Sequence, residues 1–114
     1  SAESTVTSAE AEQQVLAFLK EHVAPQSAPL CGNTIHTDRH FLRMQMKSVH
    51  DYLFYRSIDV SSIKELARRW APDMYNEAER RKGVKPHRAK GDILNSIEEL
   101  RYYRDTFFKI PDLE

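Results

Sequence analysis

Only two short stretches of this chain have the makings of β-strands, and helical sequence separates them. Leu30-Cys31-Gly32-Asn33 is apolar and closes on a Gly-Asn turn. Residues 54–59, Phe54-Tyr55-Arg56-Ser57-Ile58-Asp59, are aromatic and β-branched, and a turn-like Ser61-Ser62 pair follows. Strands connected through helices pair in parallel. A parallel sheet is buried on both faces and usually holds more than two strands. The chain therefore reads as the second half of an α/β domain, with the remaining strands supplied from outside these residues.

The helical stretches have their own signals. Thr7 and Glu10 stand at capping-box spacing, and a helix is predicted from there to about His22. Ala11, Val15, Phe18 and Leu19 recur on one face of it, and Pro25 and Pro29 bracket the loop beyond. A second helix begins near Asp38, with Phe41, Leu42, Met44, Met46 and Val49 as its apolar surface. Ser61 or Ser62 is expected to cap a third, carrying Ile63, Leu66, Ala67 and a packed Trp70, and ended by Pro72. Residues 76–91 lack apolar periodicity and are rich in Arg and Lys, so they are predicted as a basic loop. A last helix carries Ile93, Ile97, Leu100, either Tyr103 or Arg104, and Phe107 on one stripe. The expected order is helix, strand, helix, strand, helix, loop, helix.

Charge narrows the partners. Lys+Arg and Asp+Glu each number 17, so the formal net charge is zero. Coating a long nucleic acid normally demands a basic excess, because phosphate neutralisation drives the affinity. Any nucleic-acid ligand should be small and held by a few placed groups. Cys31 is the single cysteine, which excludes an internal disulfide and suits a reducing compartment; it reads as a buried thiol. No apolar run is long enough to span a membrane, and Ser1-Ala2-Glu3-Ser4 has no signal-peptide character. The first residue is not Met, so the chain is expected to be processed, cut or expressed as a piece.

Several side chains have chemistry to offer, each with a plainer alternative. His87 and Asp92 are five residues apart at the approach to the last helix, where a carboxylate can bind a divalent metal and an imidazole can take a proton from water. That spacing also arises by chance. Asp38 follows a strand end, a frequent place for ligands in α/β sheets, yet the helix dipole alone would favour an acid there. Arg80-Arg81-Lys82 is either a solvated loop or an arm near phosphate. Tyr52, Phe54 and Tyr55 belong to a core or interface, or offer a ring on which a base stacks.

The order of these segments resembles a known family. Residues 31–42, Cys31-Gly32-Asn33-Thr34-Ile35-His36-Thr37-Asp38-Arg39-His40-Phe41-Leu42, resemble the second exonuclease motif of oligoribonucleases. Residues 53–70, from Leu53-Phe54-Tyr55-Arg56-Ser57-Ile58-Asp59-Val60 through Ser61-Ser62-Ile63-Lys64-Glu65-Leu66-Ala67-Arg68-Arg69-Trp70, are similar to the stretch that separates this family from other DEDD-type exonucleases. His87-Arg88-Ala89-Lys90-Gly91-Asp92-Ile93 and the Ser96–Arg104 segment resemble the third motif.

The resemblance implies a ribonuclease H-like three-layer α/β fold, of which residues 1–114 would be the C-terminal part of a single exonuclease domain. Two strands and four to five helices are expected, with the N-terminal strands missing. It implies a homodimeric hydrolase that degrades short RNA, dinucleotides above all, to mononucleotides from the 3′ end. Two divalent cations, Mg²⁺ or Mn²⁺, would serve it. Asp38 and Asp92 match two of four acidic metal ligands, and His87 matches the general base. Thr34, Arg56 and Ser61 match a cap over the terminal phosphate, and Tyr55 matches a tyrosine supplied by the partner subunit. The first motif, an Asp-x-Glu on an opening strand, has no counterpart among the early acids Glu3, Glu10 and Glu12. The alternative is a catalytically inactive truncated module that keeps dimerisation and weak nucleotide binding. The expected compartment is the cytoplasm, or the mitochondrion in a eukaryotic source.

Overall fold

The computed structural model describes residues 6–82 and 88–112. Among them the order is α1 (Ser8–His22), β1 (Leu30–Gly32), α2 (Ile35–Gln45), α3 (Lys47–Tyr52), β2 (Ser57–Asp59), α4 (Val60–Trp70), α5 (Pro72–Arg81) and α6 (Arg88–Thr106). The strands form a two-stranded parallel sheet, so the α/β class expected from the sequence is present and is consistent with a partial ribonuclease H-like fold. The chain divides into two units, residues 1–58 and 59–114.

In the first unit, the capping residue is the one the sequence nominates. Thr7 is extended, and its Oγ1 accepts the Glu10 N–H at 3.1 Å. The predicted stripe on α1 is only partly right. Val15 and Phe18 are exposed, whereas Leu16 and Glu12 are partly buried. Glu12 turns inward because its carboxylate accepts both the Ser48 N–H, at 3.0 Å, and the Ser48 hydroxyl. Those bonds hold the Glu12 carboxyl below the usual carboxylate range. They also satisfy a free amide at the start of α3, which has no side-chain cap of its own.

The expected single helix through residues 38–49 is divided. Met46, at φ −140° and ψ 62°, ends α2 and precedes α3. Phe41 and Met44 are exposed, while Ile35, Val49 and Leu53 are buried. At the end of α3, the Tyr52 hydroxyl donates to the Val23 carbonyl and the Gln26 N–H donates to the Tyr52 carbonyl, each at 2.7 Å. Cys31 is exposed, contrary to the buried-thiol reading, because β1 is only three residues long and presents it outward.

In the second unit, Asp59 caps α4 in place of Ser61 or Ser62: its Oδ1 accepts the Ser61 N–H at 2.9 Å. An acid at the last position of a strand can satisfy the first free amide of the following helix, which lets α4 start at Val60. Part of the expected basic loop is helix. Pro72 opens α5, where its missing N–H costs nothing. Glu77 pairs with Arg80 and Arg81 one turn on, at 2.5 and 2.8 Å. Residues 88–91 of that stretch belong to α6, and residues 83–87 lie outside the described residues.

Ala67, Ala78 and Tyr103 form the core of this unit, with Ile63, Tyr75, Tyr102 and Phe107 packed against it. Small side chains at 67 and 78 let α4 and α5 approach while the Tyr103 ring fills the space beside them. Trp70, expected to pack, is 71% exposed. The α6 stripe holds only in its second half, where Tyr103 is buried and Leu100 and Phe107 are partly buried. Ile93 and Ile97 are exposed, whereas Glu99 is buried. Lys64 and Lys82 each bring Nζ to 3.4 Å from the Glu99 carboxylate, which makes its burial tolerable.

Candidate functional site

Of the seven residues nominated by the sequence, four fall in the first unit: Thr34, Asp38, Tyr55 and Arg56. Thr34 links β1 to α2 in a left-handed conformation, φ 52° and ψ 48°. For a β-branched residue that geometry is strained, and such strain concentrates at functional turns. Its side chain makes no capping bond to α2. Asp38 lies in the first turn of α2, where the helix dipole stabilises its charge. It is exposed, and no cation pairs with it among the described residues.

Tyr55 and Arg56 project from the short link between α3 and β2. Tyr55 is 72% exposed. Arg56 Nε donates to the Tyr55 hydroxyl at 2.9 Å, and the guanidinium carbon stands 5.4 Å from the centre of that ring. No carboxylate pairs with Arg56 among the described residues, so its planar fork stays open to an anion. The Phe54 ring lies 4.7 Å from that of Tyr55.

One residue of this region escapes the sequence reading. Arg39, next to Asp38, reaches from α2 to the 54–57 link. Its Nε and Nη2 donate to Ser57 Oγ at 3.1 and 2.9 Å, and Nη2 also donates to the carbonyls of Phe54, at 3.2 Å, and Arg56, at 3.0 Å.

In the second unit, Ser61 lies in the first turn of α4, where free amides and the helix dipole favour an anion. Its own N–H is held by Asp59. Asp92 lies near the start of α6 and is exposed. His87 is outside the described residues.

Asp38 and Asp92 offer carboxylate oxygens, the donor type that hard divalent cations such as Mg²⁺ and Mn²⁺ take. Both are exposed and unpaired among the described residues, so the chemistry of the donors fits such ions. Among the described residues no group of three or more His, Cys, Asp or Glu side chains comes together as a complete ligand set. No helix among them is long and apolar enough to cross a membrane.

Comparison with known proteins adds the wider context. A family model described as "Exonuclease" matches residues 1–100. The chain is 52% identical over 108 residues to an oligoribonuclease of Marinobacter nauticus, covering 95% of this chain and 58% of that protein. It is 57% identical over 110 residues to an oligoribonuclease of Rhodococcus jostii, covering 96% and 54%. With an oligoribonuclease of Streptomyces griseus it shares 54% over 103 residues, covering 90% and 50%. The chain thus spans about half the length of the curated relatives it matches.

Proposed function

This chain belongs to the exonuclease family, and from that premise we propose that the whole protein is an oligoribonuclease, hydrolysing RNA dinucleotides to mononucleotides from the 3′ end. Residues 1–114 are read as the C-terminal part of its single exonuclease domain. The observation that carries this reading is the pair of exposed carboxylates, Asp38 and Asp92, each near the start of a helix and each without a cationic partner among the described residues. The relatives that match nearly the whole chain bear the name of such an enzyme, so the non-catalytic alternative gains no support from them.

In this reading Asp38 and Asp92 hold two divalent cations, Mg²⁺ or Mn²⁺, together with the carboxylate pair of the family's first motif. Bound there, the ions supply charge stabilisation for phosphodiester hydrolysis. His87 accepts a proton from the attacking water at an imidazole nitrogen. The new bond forms from that water oxygen to phosphorus, the bond from phosphorus to the 3′ oxygen breaks, that oxygen takes up a proton from solvent, and a mononucleotide departs. Arg56 presents its fork to the 5′ phosphate of the dinucleotide, and Thr34 and Ser61 add hydroxyl contacts. A terminal phosphate bound by a few placed groups agrees with a formal net charge of zero. Tyr55, exposed beside Arg56, serves the active site of a second subunit in a homodimer. The compartment is the cytoplasm, or the mitochondrion in a eukaryotic source.

The test is release of mononucleotide from a 5′-phosphorylated RNA dinucleotide with Mn²⁺, on a chain that carries the family's Asp-x-Glu segment ahead of these residues. EDTA should stop the reaction. Asp38→Asn and Asp92→Asn should each slow it on the order of a hundredfold or more, with melting temperatures little changed. An Asp92→Asn protein that releases mononucleotide at the unsubstituted rate removes Asp92 from the ligand set.

A further inference from the structure

The four hydrogen bonds from Arg39 have a purpose that the metal and phosphate assignments leave open. Arg39 is half-buried, and all four bonds end on neutral oxygens: twice on Ser57 Oγ, once on the Phe54 carbonyl and once on the Arg56 carbonyl. These acceptors enclose Tyr55 and Arg56 from both sides along the chain. The residue between the bonded carbonyls, Tyr55, is strongly exposed, and its hydroxyl is occupied by Arg56 Nε. The link therefore has little packing of its own, and the 54–57 backbone is held by the Phe54 N–H bond to the Ala28 carbonyl, at 2.9 Å, and by this guanidinium.

We infer that Arg39 is a positioning residue that clamps the 54–57 link, fixing the Arg56 guanidinium for the terminal phosphate of the substrate. The inference rests on the proposed phosphate role of Arg56. Its physical basis is the shape of the group. A guanidinium is a rigid fork with donors in one plane, so it can bind several backbone and hydroxyl oxygens at fixed angles, which a lysine ammonium on a flexible stem does not reproduce. Because no carboxylate takes up its charge among these bonds, Arg39 also leaves the link electropositive, which favours an anion there. Arg39 follows Asp38 on α2, so one helix carries both a proposed metal ligand and the anchor of the phosphate-binding arginine. The distance between the scissile bond and the capped phosphate would then be set by one rigid element, which is what a length-selective enzyme requires.

The experiment uses a chain that carries the family's Asp-x-Glu segment ahead of these residues and compares it with its Arg39→Ala, Arg39→Lys and Ser57→Ala variants in two measurements. The first is hydrogen exchange at the 54–57 amides. The second is the affinity for a 5′-phosphorylated RNA dinucleotide against the same dinucleotide without the 5′ phosphate. The unsubstituted chain should prefer the phosphorylated ligand. Arg39→Ala and Arg39→Lys should both exchange faster at 54–57 and lose about tenfold of that preference, with affinity for the unphosphorylated ligand unchanged. Ser57→Ala, which removes the acceptor of two of the four bonds, should fall between, and it keeps the test decisive if Arg39→Ala does not fold. Full retention of the preference by Arg39→Lys would show that charge alone suffices and overturn the clamp. Unchanged exchange in Arg39→Ala and Ser57→Ala would overturn it as well. If the unsubstituted chain shows no preference for the 5′ phosphate, the phosphate role of Arg56 falls, and this inference falls with it.

Discussion

Thr34 stands at φ 52°, a backbone state that costs an ordinary L residue about 1–2 kcal/mol. Glycine adopts it without that penalty, at the expense of greater freedom in the unfolded chain. Thr34→Gly should therefore leave stability unchanged or raise it by up to about 1 kcal/mol in urea unfolding, while weakening binding of a 5′-phosphorylated dinucleotide. A marked loss of stability would show that the Thr34 side chain is needed for the fold and not for the ligand. At this scale the sequence was readable where a residue acts through its own chemistry. Asp38 and Arg56 are exposed, and neither has an ion-pair partner among the described residues, although Arg56 Nε donates to the Tyr55 hydroxyl. It was not readable for Arg39, whose partners are backbone carbonyls 15 and 17 residues away and a serine 18 residues away. No local pattern announces bonds of that kind.

At the level of elements, the start of α4 depends on a side chain that belongs to β2. Asp59→Ala removes the oxygen that accepts the Ser61 N–H and should cost about 1 kcal/mol by thermal or urea unfolding. Ser62→Ala, at the position the sequence also nominated, should cost much less. Equal losses would return the cap to the serines. The α4 boundary was misjudged because Asp, Ser and Ser follow within four residues and all are good caps; only the backbone geometry chooses among them. The α5 helix was missed for another reason. Its inward face is Ala78 with Tyr75 one turn before it, too short a pattern to register as a stripe, while Glu77 with Arg80 and Arg81 stabilises the helix through its charged side. In α6 an apolar pattern pointed to Ile93 and Ile97, yet Glu99 faces inward because Lys64 and Lys82 await it.

For the molecule as a whole, pH should move stability at both ends of the scale. Hydrogen bonds from Arg68 and Arg69 hold the Glu65 carboxyl down to about 2, and those from Arg80 and Arg81 do the same for Glu77. Folded values below the ordinary 4.5 mean that these pairs stabilise the fold above about 4.5 and lose that contribution as pH falls toward 2. Both carboxylates are solvent-screened, so the effect should be small and should shrink in high salt. Burial pushes the Tyr103 hydroxyl up to about 12, helped by Glu99 and Glu79. Here the sign reverses: stability is intact below about 10 and is lost as pH rises toward 12. Melting temperatures across both windows check this. A Glu65→Gln/Glu77→Gln protein should flatten the acid side and Tyr103→Phe the alkaline side, and slopes that persist would assign the transitions to other groups. By itself the sequence determined the α/β class and the Thr7 cap, because each rests on local chemistry or spacing, and it nominated the candidate ligands through its resemblance to a family. Only the tertiary structure decided which faces of α1 and α6 turn inward, where α2 gives way to α3, and what holds Tyr55 and Arg56. Those outcomes depend on partners distant along the chain: Ser48 for Glu12, two lysines for Glu99, and the Arg39 guanidinium for the 54–57 link.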